Sequence, residues 1–230
     1  MTKSYDVWWQ KGQESDDDMA RDHQEAWERT IEMLDTSDIK GKTILDVGCN
    51  QGGFLRKLYD TTPFKEGVGI DLARLSLEKA ETLKGERPLT YYLTDKPQET
   101  NRTFDTAVST SVLYLIEDIP QHAQDLKGVL KPGGVYYASF ADLTNNPSRQ
   151  FMDDTINQYG ATPSQNHSLK HIVDSFVDAG FEVAVMKEPV PDVIDLTHYS
   201  DFYLSPNDYL QTLYEESFLI KASVKEGIGK

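Results

Sequence analysis

Two kinds of apolar pattern alternate along the chain. Short continuous apolar runs are typical of buried strands, whereas apolar residues three or four positions apart are typical of amphipathic helices. The runs predict strands at 44–47, 67–71, 89–93, 104–111, 135–140, 181–186 and 217–224. The helical spacing predicts helices at 15–34, 52–59, 72–83, 119–130, 150–159 and 168–180. Strands that alternate with helices predict βαβ units and a parallel sheet, so the expected fold class is α/β.

The end of the sheet is expected to depart from this alternation. No convincing helical pattern separates the strand at 181–186 from the strand at 217–224. A parallel pair needs a long crossover connection, usually a helix, whereas an antiparallel pair does not. We therefore expect the last strand to run antiparallel to its neighbours.

The stretch 43–54 carries the strongest local signal. It begins as an apolar strand, breaks at three glycines and restarts at helical spacing from Phe54. Glycine lets a ligand approach the backbone, and the start of a helix offers N–H groups that lack a partner. A ligand site is therefore expected at this turn.

Composition and charge narrow the classes of partner. The 230 residues carry a net charge of −15, and the basic residues are mostly scattered. A groove that tracks phosphates needs clustered Lys and Arg, so nucleic acid is disfavoured. The chain has no apolar run of bilayer length and no secretory signal, so we expect a cytoplasmic protein without a membrane partner. The single cysteine, Cys49, excludes an intrachain disulfide and a cysteine-based zinc cluster.

Two classes of nucleotide-like ligand compete for the glycine turn. A dinucleotide fingerprint requires Gly-x-Gly-x-x-Gly, and here Asn50 occupies the position of the second glycine. Asp46 also stands two residues before Gly48, where a dinucleotide-binding strand usually carries an apolar residue. A nicotinamide-dependent dehydrogenase is therefore the weaker interpretation.

The segment 46–52, Asp-Val-Gly-Cys-Asn-Gln-Gly, resembles the Asp/Glu-x-Gly-x-Gly-x-Gly motif of class I S-adenosylmethionine-dependent methyltransferases. Four further features match that family in order, namely Asp71 after the second strand, Asp95 after the third, the strand 104–108, and Val-Leu-Lys-Pro-Gly-Gly at 129–134. Asn50 departs from the glycine pattern, although asparagine tolerates left-handed backbone. The resemblance covers residues 44–140. It implies a three-layer αβα sandwich with a seven-stranded, mostly parallel sheet and an antiparallel last strand.

The resemblance also implies a cofactor, S-adenosyl-L-methionine, with S-adenosyl-L-homocysteine as the product. A carboxylate such as Asp71 can accept from both ribose hydroxyls, and Asp46 can meet the α-amino group. Aromatic rings that fold over the site would stabilise the sulfonium cation; alternatively, they anchor the first helix. Cys49 is expected to be a small residue in the turn and not a nucleophile. The residues expected to bind the cofactor are Tyr5, Trp9, Asp46, Gly48, Cys49, Asn50, Gly52, Asp71, Leu72, Thr94, Asp95, Ser109 and Thr110.

The acceptor is expected to bind beyond the carboxyl ends of the strands, where open α/β sheets hold their ligands. We expect one domain over 1–230, with an N-terminal helical flap at 1–40 and substrate-side insertions at 141–167 and 188–214. The residues expected to bind a small-molecule acceptor are Tyr114, Phe151, Tyr199 and Tyr203; the same rings would also suit a small satellite core. His198 is the candidate general base, which matters only if the acceptor atom is protonated. No metal-ligand set is expected.

The sequence leaves three further questions open. The reaction is expected to be methyl transfer to O or N of the acceptor. A catalytically silent module that binds S-adenosylmethionine is the alternative, and methylation of a protein or a nucleic acid is less favoured. The oligomeric state, monomer or homodimer, stays open.

Overall fold

A seven-stranded sheet forms the centre of the computed structural model, which describes residues 4–11 and 15–225. The strands are β1 (Thr43–Val47), β2 (Glu66–Asp71), β3 (Leu89–Leu93), β4 (Phe104–Ser109), β5 (Leu130–Ala141), β6 (Phe181–Lys187) and β7 (Ser217–Val224). Their order across the sheet is β3-β2-β1-β4-β5-β7-β6. Strand β7 pairs antiparallel with both β5 and β6, and the other pairs are parallel. The predicted fold class and the antiparallel last strand are confirmed.

Helices flank the sheet on both faces. They are α1 (Ser15–Asp22), α2 (Gln24–Met33), α3 (Thr36–Ile39), α4 (Gly53–Thr61), α5 (Arg74–Leu83), α6 (Ile119–Val129), α7 (Arg149–Tyr159), α8 (Leu169–Asp178) and α9 (Pro206–Gln211). Neighbouring residues of one strand enter different cores, because successive side chains point to opposite faces. Tyr136 packs with residues of α6 and α8, whereas Tyr137 packs with residues of α2 and α4. The result is the expected three-layer sandwich.

Three elements differ from the sequence prediction. The predicted helix 15–34 is divided at His23, because α1 is held against the glycine turn while Ile31 of α2 enters the core. The segment 131–134, which lies between a predicted helix and a predicted strand, is a bulge inside β5, where Phe104 pairs with Leu130 and Thr106 pairs with Val135. Helix α9 and the π-helical turn Thr212–Glu216 lie in a segment for which no helix was predicted.

The carboxyl ends of the parallel strands converge on one edge of the sheet. The topological switch lies between β1 and β4, since the chain moves outward from β1 to β3 and then returns to β4 on the other side of β1. Ligands of open α/β sheets bind at such a switch point. None of the helices in the described part of the chain combines the length and apolar character that a membrane span requires.

Candidate functional site

The turn after β1 depends on glycine at two positions. Gly48 and Gly52 both have positive φ, at 74° and 67°. A Cβ on Gly48 would collide with the Val112 side chain, and a Cβ on Gly52 would collide with the Tyr91 ring. The amides of Gly48 and Cys49 both donate to the carbonyl of Ile70, at 2.8 and 3.1 Å. These bonds fix the turn beside the end of β2.

Asn50 occupies the irregular position of the motif and has a φ of 46°. Its side-chain oxygen accepts from the amide of Gln51 at 2.7 Å, and its side-chain nitrogen donates to Asp16 at 3.1 Å. Asparagine can hold left-handed backbone when its side chain bonds locally. The departure from glycine therefore preserves the turn and adds a contact with the N-terminal region.

Asp71 ends β2 and faces the turn. Its two carboxylate oxygens accept from the backbone amides of Asn50 and Ala73, at 2.7 and 2.8 Å. Burial raises the pKa of Asp71, and the backbone hydrogen bonds oppose that rise. Each carboxylate oxygen has a second lone pair, so Asp71 can still accept hydrogen bonds from a ligand.

Asp46 lies in the centre of the sheet and is only 1% exposed. Its Oδ2 atom has no hydrogen-bond partner among the described residues. Burial, followed by the nearby Asp71, raises the pKa of Asp46 to about 8. A buried carboxylate without a partner is costly, and a nearby cation relieves that cost. Asp46 is therefore suited to a positively charged ligand group.

A cavity of about 1010 Å³ opens at this edge of the sheet. Ligand pockets generally measure roughly 300–1,000 Å³, so this cavity has room for a cofactor and a small second ligand. The predicted residues that line it are Tyr5, Trp9, Asp46, Gly48, Cys49, Asn50, Asp71, Leu72, Thr94, Asp95, Thr110, Tyr114 and Tyr203. The structure therefore brings most of the predicted set together around one space.

Two predicted cofactor residues lie outside the cavity lining. Gly52 is the N-cap residue of α4, and the Tyr91 ring lies directly against its Cα. The role of Gly52 is therefore to shape the turn. Ser109 is fully buried, and its hydroxyl is engaged with the Tyr136 hydroxyl at 2.5 Å. Its side chain is therefore committed to the core and not to a ligand.

Three predicted acceptor-site residues also lie elsewhere. The cavity-facing residues of α7 are Arg149, Met152, Asp153 and Ile156, and this helical stripe excludes Phe151. Tyr199 begins the short 3₁₀ turn Tyr199–Asp201 outside the cavity lining. His198 is exposed next to that turn, so the structure does not place it where a general base must reach the acceptor.

Sequence reasoning also missed residues that line the cavity. Glu188 follows β6, and burial raises its pKa. His122 on α6 is buried against Tyr136, and burial lowers its pKa to about 4. Isolated charged residues on helices and after edge strands carry no periodic signal, so no pattern in the sequence selects them. The described residues contain no group of His, Cys, Asp and Glu that could hold a metal ion.

Cys49 lies in the turn and is buried. Burial, together with the charges of Asp71 and Asp46, raises the pKa of its thiol well above the ordinary value. The thiolate is the nucleophilic form of cysteine, and these surroundings suppress it. Cys49 therefore serves as a small side chain of the turn.

Comparison with known proteins agrees with this geometry. Residues 45–136 match the model of a family described as methyltransferase domain. The tRNA U34 carboxymethyltransferase of Hydrogenovibrio crunogenus is 34% identical over 117 residues, which are 47% of this chain and 34% of that protein. The malonyl-[acyl-carrier protein] O-methyltransferase of Anoxybacillus flavithermus is 28% identical over 105 residues, 45% of this chain and 40% of that protein. The matched part thus spans little more than a third of these curated relatives.

Solved structures extend the likeness to nearly the whole chain. One is a chain from the complex between the Haloferax volcanii Trm112 methyltransferase activator and a methyltransferase, with a TM-score of 0.71, 18% identity, and coverage of 92% of this chain and 96% of that one. Another is the N-methyltransferase NodS of Bradyrhizobium japonicum in complex with S-adenosyl-L-homocysteine, with a TM-score of 0.57, 18% identity, and coverage of 90% and 87%. The chain therefore has the fold of class I methyltransferases, and its residues 45–136 are similar to a methyltransferase domain.

Proposed function

We propose that this chain transfers a methyl group from S-adenosylmethionine to a small-molecule acceptor. The observation that carries the proposal is the buried Asp46 carboxylate, whose Oδ2 has no partner among the described residues and which lines the cavity beside the glycine turn. Burial without compensation is unfavourable unless a ligand supplies the missing charge. The α-amino group of S-adenosylmethionine would supply it.

The other predicted cofactor contacts fit the same ligand. Asp71 has free lone pairs for ribose hydroxyls and is already oriented by two backbone amides. Thr94 and Asp95 follow β3 and line the cavity, which makes them candidates for contact with the adenine. Tyr5 and Trp9 line it from the N-terminal side, where their rings could face a sulfonium.

The chemistry requires little from the protein beyond positioning. Bound S-adenosylmethionine supplies a methyl group that is already activated by its sulfonium. The residues of the cavity must align the acceptor atom and exclude water, and alignment of this kind is worth roughly 7–11 kcal/mol at most. A base is needed only for a protonated acceptor. Glu188 lines the cavity and is a better candidate than His198.

The charge of the cavity favours a neutral or cationic acceptor over a polyanion. Besides the motif residues, its acidic lining comprises Asp18, Asp22, Glu117, Asp118, Asp125, Asp153 and Glu188. The basic lining consists of Lys96 and Arg149, and Arg149 is paired with Asp153 at 2.7 Å. A negative surface of this kind repels phosphates, whereas nucleic-acid binders cluster Lys and Arg.

Transfer to tRNA is the second candidate, because several curated relatives are named tRNA U34 carboxymethyltransferases. Those relatives match over less than half of this chain and about a third of their own length. This second candidate includes the transfer of a carboxymethyl group, in place of a methyl group, to tRNA. The acidic cavity lining and the net charge of −15 weigh against it.

A release assay separates the candidates. Purified protein is incubated with S-adenosylmethionine and either a panel of small amines, phenols and acids or bulk tRNA, and S-adenosylhomocysteine is quantified. We expect turnover with a small molecule and none with tRNA. Turnover with tRNA and with none of the small molecules would refute the small-molecule acceptor and favour transfer to tRNA. Cofactor binding without turnover on any acceptor would favour the catalytically silent module.

A further inference from the structure

Asp16 is an acidic residue at the start of a helix, yet it is only 1% exposed. Its carboxylate accepts hydrogen bonds from four groups of three separate elements. They are the amides of Trp8 at 3.4 Å and Trp9 at 2.9 Å, the Asn50 side-chain amide at 3.1 Å, and the Ser76 hydroxyl at 2.5 Å. An acid that only complements a helix dipole needs no such set of donors and would remain in solvent.

Three of the four residues that donate to Asp16, namely Trp8, Trp9 and Asn50, line the cavity. Residues 4–11, which we call the strap, cross it from one side to the other. At one end the Tyr5 amide donates to the Leu72 carbonyl at 3.0 Å, and at the other end the Gln10 amide donates to the Tyr159 carbonyl at 2.9 Å. Asp16 holds the middle of the strap, and through Asn50 it also holds the glycine turn.

A second acid strengthens the same connection. Asp17 accepts from the Gln51 side chain at 2.6 Å and forms an ion pair with Lys79 of α5. Neighbouring acids of α1 therefore contact neighbouring residues of the glycine turn. Asp17 is more exposed than Asp16, and solvent screens its ion pair with Lys79. The connection through Asp17 therefore holds α1 against the glycine turn less strongly than the connection through Asp16.

The strap also presents a polar atom that has no partner within the described chain. The indole Nε1 of Trp8, a residue that lines the cavity, is buried and makes no hydrogen bond with the described residues. A buried donor of this kind is costly unless a ligand or water satisfies it. The strap is thus suited to contribute a contact to whatever occupies the cavity.

From these contacts we infer that Asp16 is a positioning residue for the cofactor. It locks the strap onto the glycine turn, so that the strap closes the cavity over bound S-adenosylmethionine and slows its release. This inference rests on the proposed function. It concerns the rate at which the cofactor leaves, which the family motif does not determine.

The experiment measures cofactor release and stability in matched variants of the full chain. Asp16→Ala removes all four hydrogen bonds. Asn50→Gly removes the bond between Asp16 and the turn, together with the local bond from the Gln51 amide, and it suits the positive φ of that position. The control is Asp38→Ala, which removes a carboxylate that accepts from Tyr137 and Lys221, both at 2.7 Å, at the amino end of β1. Release is followed by stopped-flow tryptophan fluorescence after a chase with S-adenosylhomocysteine, because Trp8 and Trp9 line the cavity.

We expect Asp16→Ala to raise the dissociation rate at least tenfold and Asn50→Gly to raise it several-fold. The double variant should release the cofactor no faster than Asp16→Ala, since both changes remove the same lock. Asp38→Ala should lower Tm and leave the rate unchanged. If Asp16→Ala does not fold, Asn50→Gly decides the question.

The outcomes separate the inference from the function on which it rests. Absence of S-adenosylmethionine binding by the unmodified chain would refute the proposed function itself. Binding by the unmodified chain, with release rates of Asp16→Ala and Asn50→Gly within twofold of it, would overturn the role of Asp16 and leave the proposed function intact. Faster release in every variant in proportion to lost Tm, Asp38→Ala included, would also overturn it, because the effect would then be one of general stability.

Discussion

The Asp71 carboxylate accepts the backbone N–H of Asn50 at 2.7 Å, and this bond joins the end of β2 to the turn after β1. A second amide, that of Ala73, binds the other carboxylate oxygen at 2.8 Å. Asp71 is the proposed ribose-binding acid, and Asn50 is the residue of the glycine turn that departs from the family motif. The two residues thus belong to one hydrogen-bonded unit. The proposed ribose contact is therefore held in place before any ligand binds.

Replacement of Asp71 tests this unit. Asp71→Ala should weaken S-adenosylmethionine binding more than tenfold, because lost hydrogen bonds to a charged group cost about 1.5–3 kcal/mol. Asp71→Asn should weaken it less, because one oxygen acceptor remains. The measurement is isothermal titration calorimetry, with Asp60→Ala as the control, since Asp60 forms an exposed ion pair with Arg87. An unchanged affinity in Asp71→Ala would refute the ribose assignment.

The pKa of Asp46 predicts an unusual pH dependence of stability. In the ligand-free fold the pKa is about 8, against an ordinary value of 3.8. Between these values the folded chain holds a proton that the unfolded chain has lost, so the free energy of unfolding falls as pH rises through this window. Asp46→Asn cannot lose a proton and should lack this component.

Urea unfolding of both proteins at pH 5.5 and pH 8.5, values chosen to bracket most of the change, isolates the contribution of Asp46. The difference in stability between Asp46→Asn and the unmodified chain should grow in favour of the variant at the higher pH. Titrating groups that do not interact with Asp46 cancel in this difference. A difference that does not change with pH would contradict the raised pKa.

A related expectation is that S-adenosylmethionine binds the unmodified chain more tightly as Asp46 ionises, and that this trend disappears in Asp46→Asn.

Gly52 should tolerate no side chain. Alanine there would adopt a positive φ and would also collide with the Tyr91 ring, so Gly52→Ala should lose about 1–3 kcal/mol from the strained backbone and more from the collision. The matched control is Gly41→Ala, because Gly41 has a similar φ of 72° and a Cβ there would have no neighbour within 4 Å. Urea unfolding should show the larger loss for Gly52→Ala. Equal losses would mean that Tyr91 moves aside freely.

The regular parts of this fold were predictable because they depend on local pattern. The last strand was predicted at 217–224 and is found at Ser217–Val224, since it contains the continuous apolar run 218–220 and the missing crossover indicated its direction. The glycine turn was predictable for a similar reason, because Gly48 and Gly52 have conformations that other residues avoid. Motifs of this kind concentrate their information within a few neighbouring positions.

The predictions that failed concern residues whose surroundings depend on contacts between distant positions of the chain. The pattern at 15–34 predicted a helix and singled out none of its first acids, whereas Asp16 is buried against Asn50, 34 positions away. Ser109 was expected to face the cofactor, but the register of β4 against β5 directs it to Tyr136. His198 was selected for its chemistry in an aromatic segment, and nothing in that segment indicated that it would be exposed.

Calorimetric titration of the unmodified chain with S-adenosylmethionine, with NAD as the comparison ligand, tests the central claim most directly. The cavity beside Asp46 and Asp71 predicts saturable one-to-one binding of S-adenosylmethionine and no binding of NAD. Absence of heat with millimolar S-adenosylmethionine, or tight binding of NAD in its place, would contradict the account.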